Sequence, residues 1–69
     1  MTLYEELFPI GTRVMVVAPD PSEGSDHRFN GKLGTVERHG HWMSVRLDKP
    51  LATWPNPVTV CPHNLQKIT

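Results

Sequence analysis

The clearest indication of the architecture is the segment Phe29-Asn30-Gly31-Lys32-Leu33-Gly34-Thr35-Val36. Two glycines separated by two residues open a run of strand-forming residues that turns at His39-Gly40. Runs with the two-residue period of a strand lie on both sides of this segment, at residues 13–17 and 43–47. This order is typical of the central hairpin of a tightly bent five-stranded barrel.

Length and charge narrow the classes of function. The chain has 69 residues, which make one domain. A domain of this size buries only about 60% of its unfolded surface, so it has little room for a catalytic cleft beside a core. The formal net charge is +0, whereas a non-specific nucleic-acid binder normally carries a positive excess.

Cysteine usage and hydropathy predict a cellular location. Cys61 is the single cysteine, so an internal disulfide is excluded and a reducing cytoplasm is favoured. No segment resembles a signal peptide, and no apolar run approaches the roughly 20 residues that span a bilayer. We therefore expect a soluble cytoplasmic protein that does not enter a membrane.

Prolines and glycines divide the chain into short elements. Residues 2–7 are predicted to form a short helix, so residues 1–9 are a helical extension and residues 10–69 the barrel of one domain. Strands are predicted at 12–18, 32–38, 41–47, 58–60 and 66–68, with one helical turn at 62–65. A long polar loop, Pro19–Asn30, and a second loop at 48–57 connect them, and loops as long as the first are often functional. The predicted fold class is all-β with five strands.

Side chains alternate between the two faces of each predicted strand. On the first strand, Val14, Val16 and Ala18 share one face, and Arg13, Met15 and Val17 share the other. On the second and third strands, the residues expected to face inward are apolar: Val36, Met43, Val45 and Leu47. The residues between them on the third strand, Trp42, Ser44 and Arg46, then face outward. Trp54 lies in the second loop, where it either plugs the open end of the barrel, the interpretation we favour, or anchors a partner.

Three spaced patterns carry a family resemblance. They are Gly11-x-x-Val14-x-Val16, Gly31-x-x-Gly34-x-Val36 and Val45-x-Leu47-Asp48, and Pro62-His63-Asn64-Leu65 follows them. With this order of elements, residues 10–68 resemble SH3-like barrels of the KOW and Tudor type and the small accessory barrels of the photosystem I reaction centre. The resemblance implies a small five-stranded SH3-like barrel, a fold that hosts many unrelated tasks. For KOW-type domains it also implies contact with RNA or the transcription machinery, although the neutral charge and acidic first loop depart from that pattern.

The first candidate site is the outer face of the central hairpin. Basic and aromatic side chains are expected to cluster there, with Arg28 close by: Lys32, Arg38, Trp42 and Arg46. A tryptophan among cations can stack on a base while the cations meet phosphates. It can equally stack on an arginine-rich or proline-rich peptide. The remaining interpretation is a lone surface tryptophan shielded by arginine stems.

The charges are distributed unevenly along the chain. Residues 1–26 hold five of the seven acids, and residues 28–49 hold five of the seven bases. An acidic loop repels phosphates, so a protein partner suits this distribution better than bare nucleic acid.

We therefore predict a small non-enzymatic accessory module, a monomer or weak dimer, that binds a protein partner through the long first loop and the outer face of the hairpin. The contact residues in this prediction are Asp20, Glu23, Asp26, Arg28, Trp42 and Arg46. The alternative is a KOW-like RNA- or DNA-binding domain that uses Lys32, Arg38, Trp42 and Arg46.

Catalytic and metal-binding chemistry have weaker support in the sequence. His39-x-His41 and Cys61-x-His63 place ligand types two residues apart, which on a strand puts both on one face. Structural zinc sites usually use paired cysteines, so we interpret these residues as exposed turn histidines and a half-buried cysteine. Cys61 and His63 flank a proline, which is poor geometry for a nucleophile and its base. The sequence predicts no enzyme activity, no metal site and no cofactor.

Overall fold

The structure is a computed structural model that describes residues 6–68. It contains five strands and two 3-10 helical segments. The strands are β1 (Arg13–Val16), β2 (Leu33–Arg38), β3 (Met43–Leu47), β4 (Val58–Val60) and β5 (Leu65–Lys67). The first 3-10 segment, Pro21–Phe29, joins β1 to β2, and the second, Pro62–Asn64, joins β4 to β5.

All five strands form one antiparallel sheet in the order β4-β3-β2-β1-β5. The predicted all-β class and the number of strands are therefore confirmed. Within residues 6–68 no ladder joins β4 to β5, so the hydrogen-bonded sheet is open and closure into a barrel is not observed. β4 has its predicted bounds, and the other four strands differ from theirs. β1 is shorter than residues 12–18, β2 and β3 begin one and two residues later than predicted, and β5 covers Leu65–Lys67 rather than residues 66–68.

One face of the sheet forms the core. The four side chains predicted to face inward are buried, and so are the three that share one face of the first predicted strand, Val14, Val16 and Ala18. Phe8, Phe29 and Leu65 add to this core, and the fourth strand contributes Val58 and Val60. Trp54 is half-buried against the core, with its ring edge-on to Phe29 at a centroid distance of 5.6 Å.

The glycines of the opening segment have two different tasks. Gly31 has φ +82, a left-handed conformation that lets the chain turn from the first 3-10 segment into β2. Gly34 lies where β2 and β3 pack closely, because a Cβ there would be 2.6 Å from Val45 Cγ1 and 2.7 Å from Arg46 O. The segment thus sets both the entry into the hairpin and the closeness of its strands.

The segment Pro19–Asn30, predicted as an irregular loop, is mostly helical. Asp20 caps its start by accepting a hydrogen bond from the Ser22 amide at 3.0 Å, and Pro21 occupies the first helical position. Gly24, with φ 68 and ψ −133, breaks the segment into two short turns. Local capping therefore orders a segment whose composition resembles that of a loop.

The predicted N-terminal helix lies largely outside the described residues. Its last two residues, Glu6 and Leu7, are helical. Phe8 follows and is buried, and its carbonyl accepts a hydrogen bond from His39 Nε2 at 2.6 Å. In residues 6–68 we find no helix long and apolar enough to cross a membrane.

Candidate functional site: the Trp42 groove

A surface groove lies between the first 3-10 segment and the β3–β4 edge of the sheet. Its volume is about 380 Å³, and we call it the Trp42 groove. The residues that line it are Glu23, Gly24, Ser25, Asp26, Trp42, Thr59 and Cys61. The groove therefore joins two parts of the predicted contact surface, the long first loop and the tryptophan that precedes β3.

Trp42 is exposed because its neighbour is buried. Met43, the first residue of β3, is 1% exposed and faces the core. Successive side chains point to opposite faces, so Trp42 faces outward, and it is 54% exposed. Since Met43 pairs with Val60, the tryptophan lies beside the end of β4, where Thr59 and Cys61 complete that side of the groove.

Asp26 is a buried residue of the groove that connects the two 3-10 segments. It is only 5% exposed, and its Oδ2 accepts hydrogen bonds from the Cys61 amide at 3.0 Å and from Asn64 Nδ2 at 2.8 Å. These contacts fasten the first 3-10 segment to the second. A buried carboxylate with two charge-assisted hydrogen bonds is a structural group, so Asp26 offers a partner little exposed surface.

Glu23 is the groove's accessible carboxylate. Its side chain is 34% exposed. Its Oε2 accepts a hydrogen bond from Asn64 Nδ2 at 3.0 Å and lies 3.5 Å from His63 Nε2. Asn64 therefore donates to both acids, Glu23 and Asp26, and fixes their relative position.

The Cys61 thiol is a poor nucleophile in this setting. Burial raises the pKa of Cys61, and the nearby carboxylates of Asp26 and Glu23 raise it further. The thiol therefore stays protonated at neutral pH. The described part of the chain holds no group of three or more His, Cys, Asp or Glu side chains arranged to bind a metal ion.

The predicted basic residues make different individual contacts. Arg28 lies over the ring of Trp54, with its Cζ 5.3 Å from the ring centroid, rather than beside Trp42. Arg46 Nε donates to Glu37 Oε1 at 2.8 Å on the outer face of the hairpin.

Two more predicted basic residues line depressions of their own. Arg38 borders a depression with Glu37, Ser44 and Pro57, and Lys32 borders another with Asp48 and Lys49. Lys32 and Arg38 are thus not among the residues that line the Trp42 groove.

Asp20 has a local task. It is exposed and caps the first 3-10 segment, and the hydrogen bonds from Ser22 lower its pKa. It is not among the residues that line the Trp42 groove.

Sequence reasoning gave no partner-binding role to four residues in or beside the groove: Thr59, Cys61, His63 and Asn64. Asn64 is 4% exposed, and a buried amide must have partners, which here are the two acids. The available signal was its place in the segment Pro62-His63-Asn64-Leu65, directly before the last strand. Its partners are about forty residues away in sequence, which no local pattern indicates.

Comparison with protein families, curated proteins and solved structures gives no match for this chain.

Proposed function

We propose that the protein is a non-enzymatic binding module whose Trp42 groove takes a cationic segment of a protein partner. The observation that carries this proposal is the pairing of a 54% exposed tryptophan with an accessible carboxylate across one groove. Exposed tryptophans are among the commonest anchors of protein interfaces. The long first loop then contributes Glu23 to the contact.

The chemistry of the lining favours a positively charged occupant. Among residues 6–68, the charged side chains that line the groove are two acids, Glu23 and the buried Asp26, and no Lys or Arg lines it. A guanidinium or ammonium group gains from the face of an indole ring and from a nearby carboxylate together. An arginine side chain fits both features, because its planar group stacks on aromatic faces and donates several hydrogen bonds.

The architecture supports an SH3-like barrel as the scaffold, in line with the resemblance found in the sequence. The two outer strands of the sheet, β4 and β5, are connected directly through the second 3-10 segment. Buried side chains from both, Val60 and Leu65, enter the same core. A strongly bent sheet places two outer strands around one core in this way. We propose that the bend completes a barrel.

Nucleic acid is the competing partner, and the charges of the described residues oppose it. A phosphate backbone near Trp42 would meet Glu23, and Glu37 already pairs with Arg46. Binding to RNA or DNA is therefore an outcome of the test rather than a second proposal.

The test compares a short arginine-containing peptide with the same peptide carrying neutral citrulline in place of arginine. Fluorescence anisotropy measures the affinity, and ¹⁵N NMR of the protein locates the site. We expect the arginine peptide to bind more tightly and to shift the amide signals of residues 23–26 and 42. Trp42→Ala and Glu23→Gln are each expected to weaken binding by about tenfold, as loss of an interface anchor does.

Glu37→Gln is the matched control, because Glu37 is also an exposed acid but is not among the residues that line the Trp42 groove. It should leave the affinity unchanged. Equal binding of the citrulline peptide, or full binding by Trp42→Ala, would contradict the proposal. Binding of single-stranded RNA that weakens steeply with salt would instead favour the KOW-like alternative.

A further inference from the structure

A histidine side chain lies beside Glu23, the accessible carboxylate of the Trp42 groove. His63 Nε2 lies 3.5 Å from Glu23 Oε2, and the His63 side chain is 61% exposed. The neighbouring residue Asn64 donates a hydrogen bond to the same oxygen. The second 3-10 segment thus brings two adjacent side chains to one carboxylate of the first.

We propose that His63 competes with the cationic partner for Glu23 and makes partner binding depend on pH. This inference rests on the proposed function, since it concerns the same carboxylate. A protonated imidazole beside Glu23 neutralises the charge that the groove offers to a partner. A neutral imidazole leaves that charge free, so affinity for a cationic segment rises as the pH rises through the range in which histidine loses its proton.

The charged and titratable groups that face His63 come from the first 3-10 segment and from Cys61. Glu23 faces it from the first 3-10 segment, and Asp26 lies behind, held by Asn64 and by the Cys61 amide. The Cys61 thiol remains protonated throughout this range. Imidazole is the side chain whose ordinary pKa lies between pH 5 and 8.

The remaining histidines are placed differently. His27 Nδ1 and His39 Nε2 are hydrogen-bonded to backbone carbonyls, those of Ala18 and Phe8. His41 is exposed and precedes Trp42, which makes it the natural control for any general effect of histidine charge near the groove.

The first measurement needs no partner. In the free protein labelled with ¹³C, the carboxyl carbon of Glu23 is followed by NMR between about pH 5 and 8, the range in which histidine titrates. We expect its chemical shift to change in this range in the wild type. The change should be absent in His63→Gln, which keeps a hydrogen-bonding side chain without the charge. If the Glu23 chemical shift does not change over the pH range in which histidine titrates, the inference is wrong, whatever the groove binds.

The second measurement uses the same arginine peptide, whose own charge is constant over this range. From the high to the low end of the range, wild-type affinity should fall by about two- to fivefold, the size of an exposed ion pair. His63→Gln should bind equally at both ends, and His41→Gln should behave as the wild type.

The outcomes separate the two proposals. A wild-type affinity that does not change with pH, or a pH effect that disappears in His41→Gln instead, overturns the role of His63 and leaves the proposed function standing. Absence of peptide binding at every pH removes the proposed function, and the competition with it, even if the Glu23 signal reports His63.

Discussion

Glu23 and Asp26 lie three residues apart in one 3-10 segment, but burial gives their carboxylates different roles. Asp26 is 5% exposed and bonded to groups across the domain, whereas Glu23 keeps one-third of its side chain in solvent. Desolvation of a carboxylate is costly unless hydrogen bonds compensate it, and two bonds do so for Asp26. One acid therefore holds the groove, and the other is available to a partner.

The two tryptophans also differ at the scale of single residues, and this difference gives a prediction. Trp42→Ala is expected to lower the free energy of unfolding by less than about 1 kcal/mol, because exposed side chains contribute little to stability. Trp54→Ala should cost about 2–4 kcal/mol, toward the range for buried aromatic residues, because it removes the contacts with Phe29 and Arg28. Urea denaturation followed by circular dichroism measures both.

A Trp42→Ala protein that unfolds would show that the register of β3 differs by one residue from the structure. Phe8→Leu, a conservative change in the core, serves as a reference for a mild loss of packing.

Single residues also show what sequence could predict about the site. The outward direction of Trp42 follows from the alternation around Met43, a local pattern, and the structure agrees with it. The burial of Asp26 follows from contacts with Cys61 and Asn64, which are 35 and 38 residues away. Local patterns carry no information about such contacts, so the sequence predicts one shared role for three acids that the structure separates.

At the scale of elements, strands were easier to predict than the connections between them. A strand reveals itself through a two-residue period, and β2, β3 and β4 lie within the residues predicted for them. The first 3-10 segment shows no periodic pattern of apolar residues, because one of its two buried residues, Asp26, is charged and the other, Phe29, is apolar. Its structure depends on the Asp20 cap and on hydrogen bonds to residues far away in sequence. Its composition alone therefore predicts a loop.

The central hairpin gives a prediction at this scale. Gly34→Ala should destabilise the protein by about 1–3 kcal/mol, the usual cost of overpacking, because the new Cβ would lie 2.7 Å from the backbone oxygen of Arg46. Backbone between paired strands cannot move aside without loss of the ladder. Thermal unfolding followed by circular dichroism measures the effect.

Gly40→Ala is the matched control for that substitution. Gly40 lies in the turn of the same hairpin region, and its added Cβ would be 3.5 Å from its nearest neighbour, an ordinary contact distance. We expect a change within about 0.5 kcal/mol. Equal effects of the two substitutions would mean that β2 and β3 are not as close as the structure places them.

At the scale of the whole molecule, one ion pair links distant parts of the sheet. Arg13 at the start of β1 binds both oxygens of the Asp48 carboxylate, which directly follows β3, and it also donates to Thr35 on β2. The contact therefore crosses the middle strand and joins its two neighbours. Both charged side chains are 44% exposed, so solvent reaches this ion pair.

This link makes the stability of the whole domain depend on pH. The hydrogen bonds from Arg13 hold the pKa of Asp48 below its usual range. A carboxyl group whose pKa is lower in the folded protein stabilises the fold above its unfolded pKa, and this contribution is lost as the pH falls through the folded pKa. Stability should therefore be steady near neutral pH and decrease below about pH 4, where free aspartate ordinarily titrates.

Asp48→Asn tests this origin of the acid sensitivity. At pH 7 its Tm should be lower than that of the wild type, because the ionic bond to Arg13 is gone. As the pH falls below about 4, the two Tm values should converge, since the wild-type carboxylate becomes protonated as well. Glu37→Gln, which removes the exposed pair with Arg46, controls for the general loss of a surface carboxylate. A constant difference in Tm between Asp48→Asn and the wild type from pH 7 to pH 3 would show that the pair contributes shape and packing rather than charge.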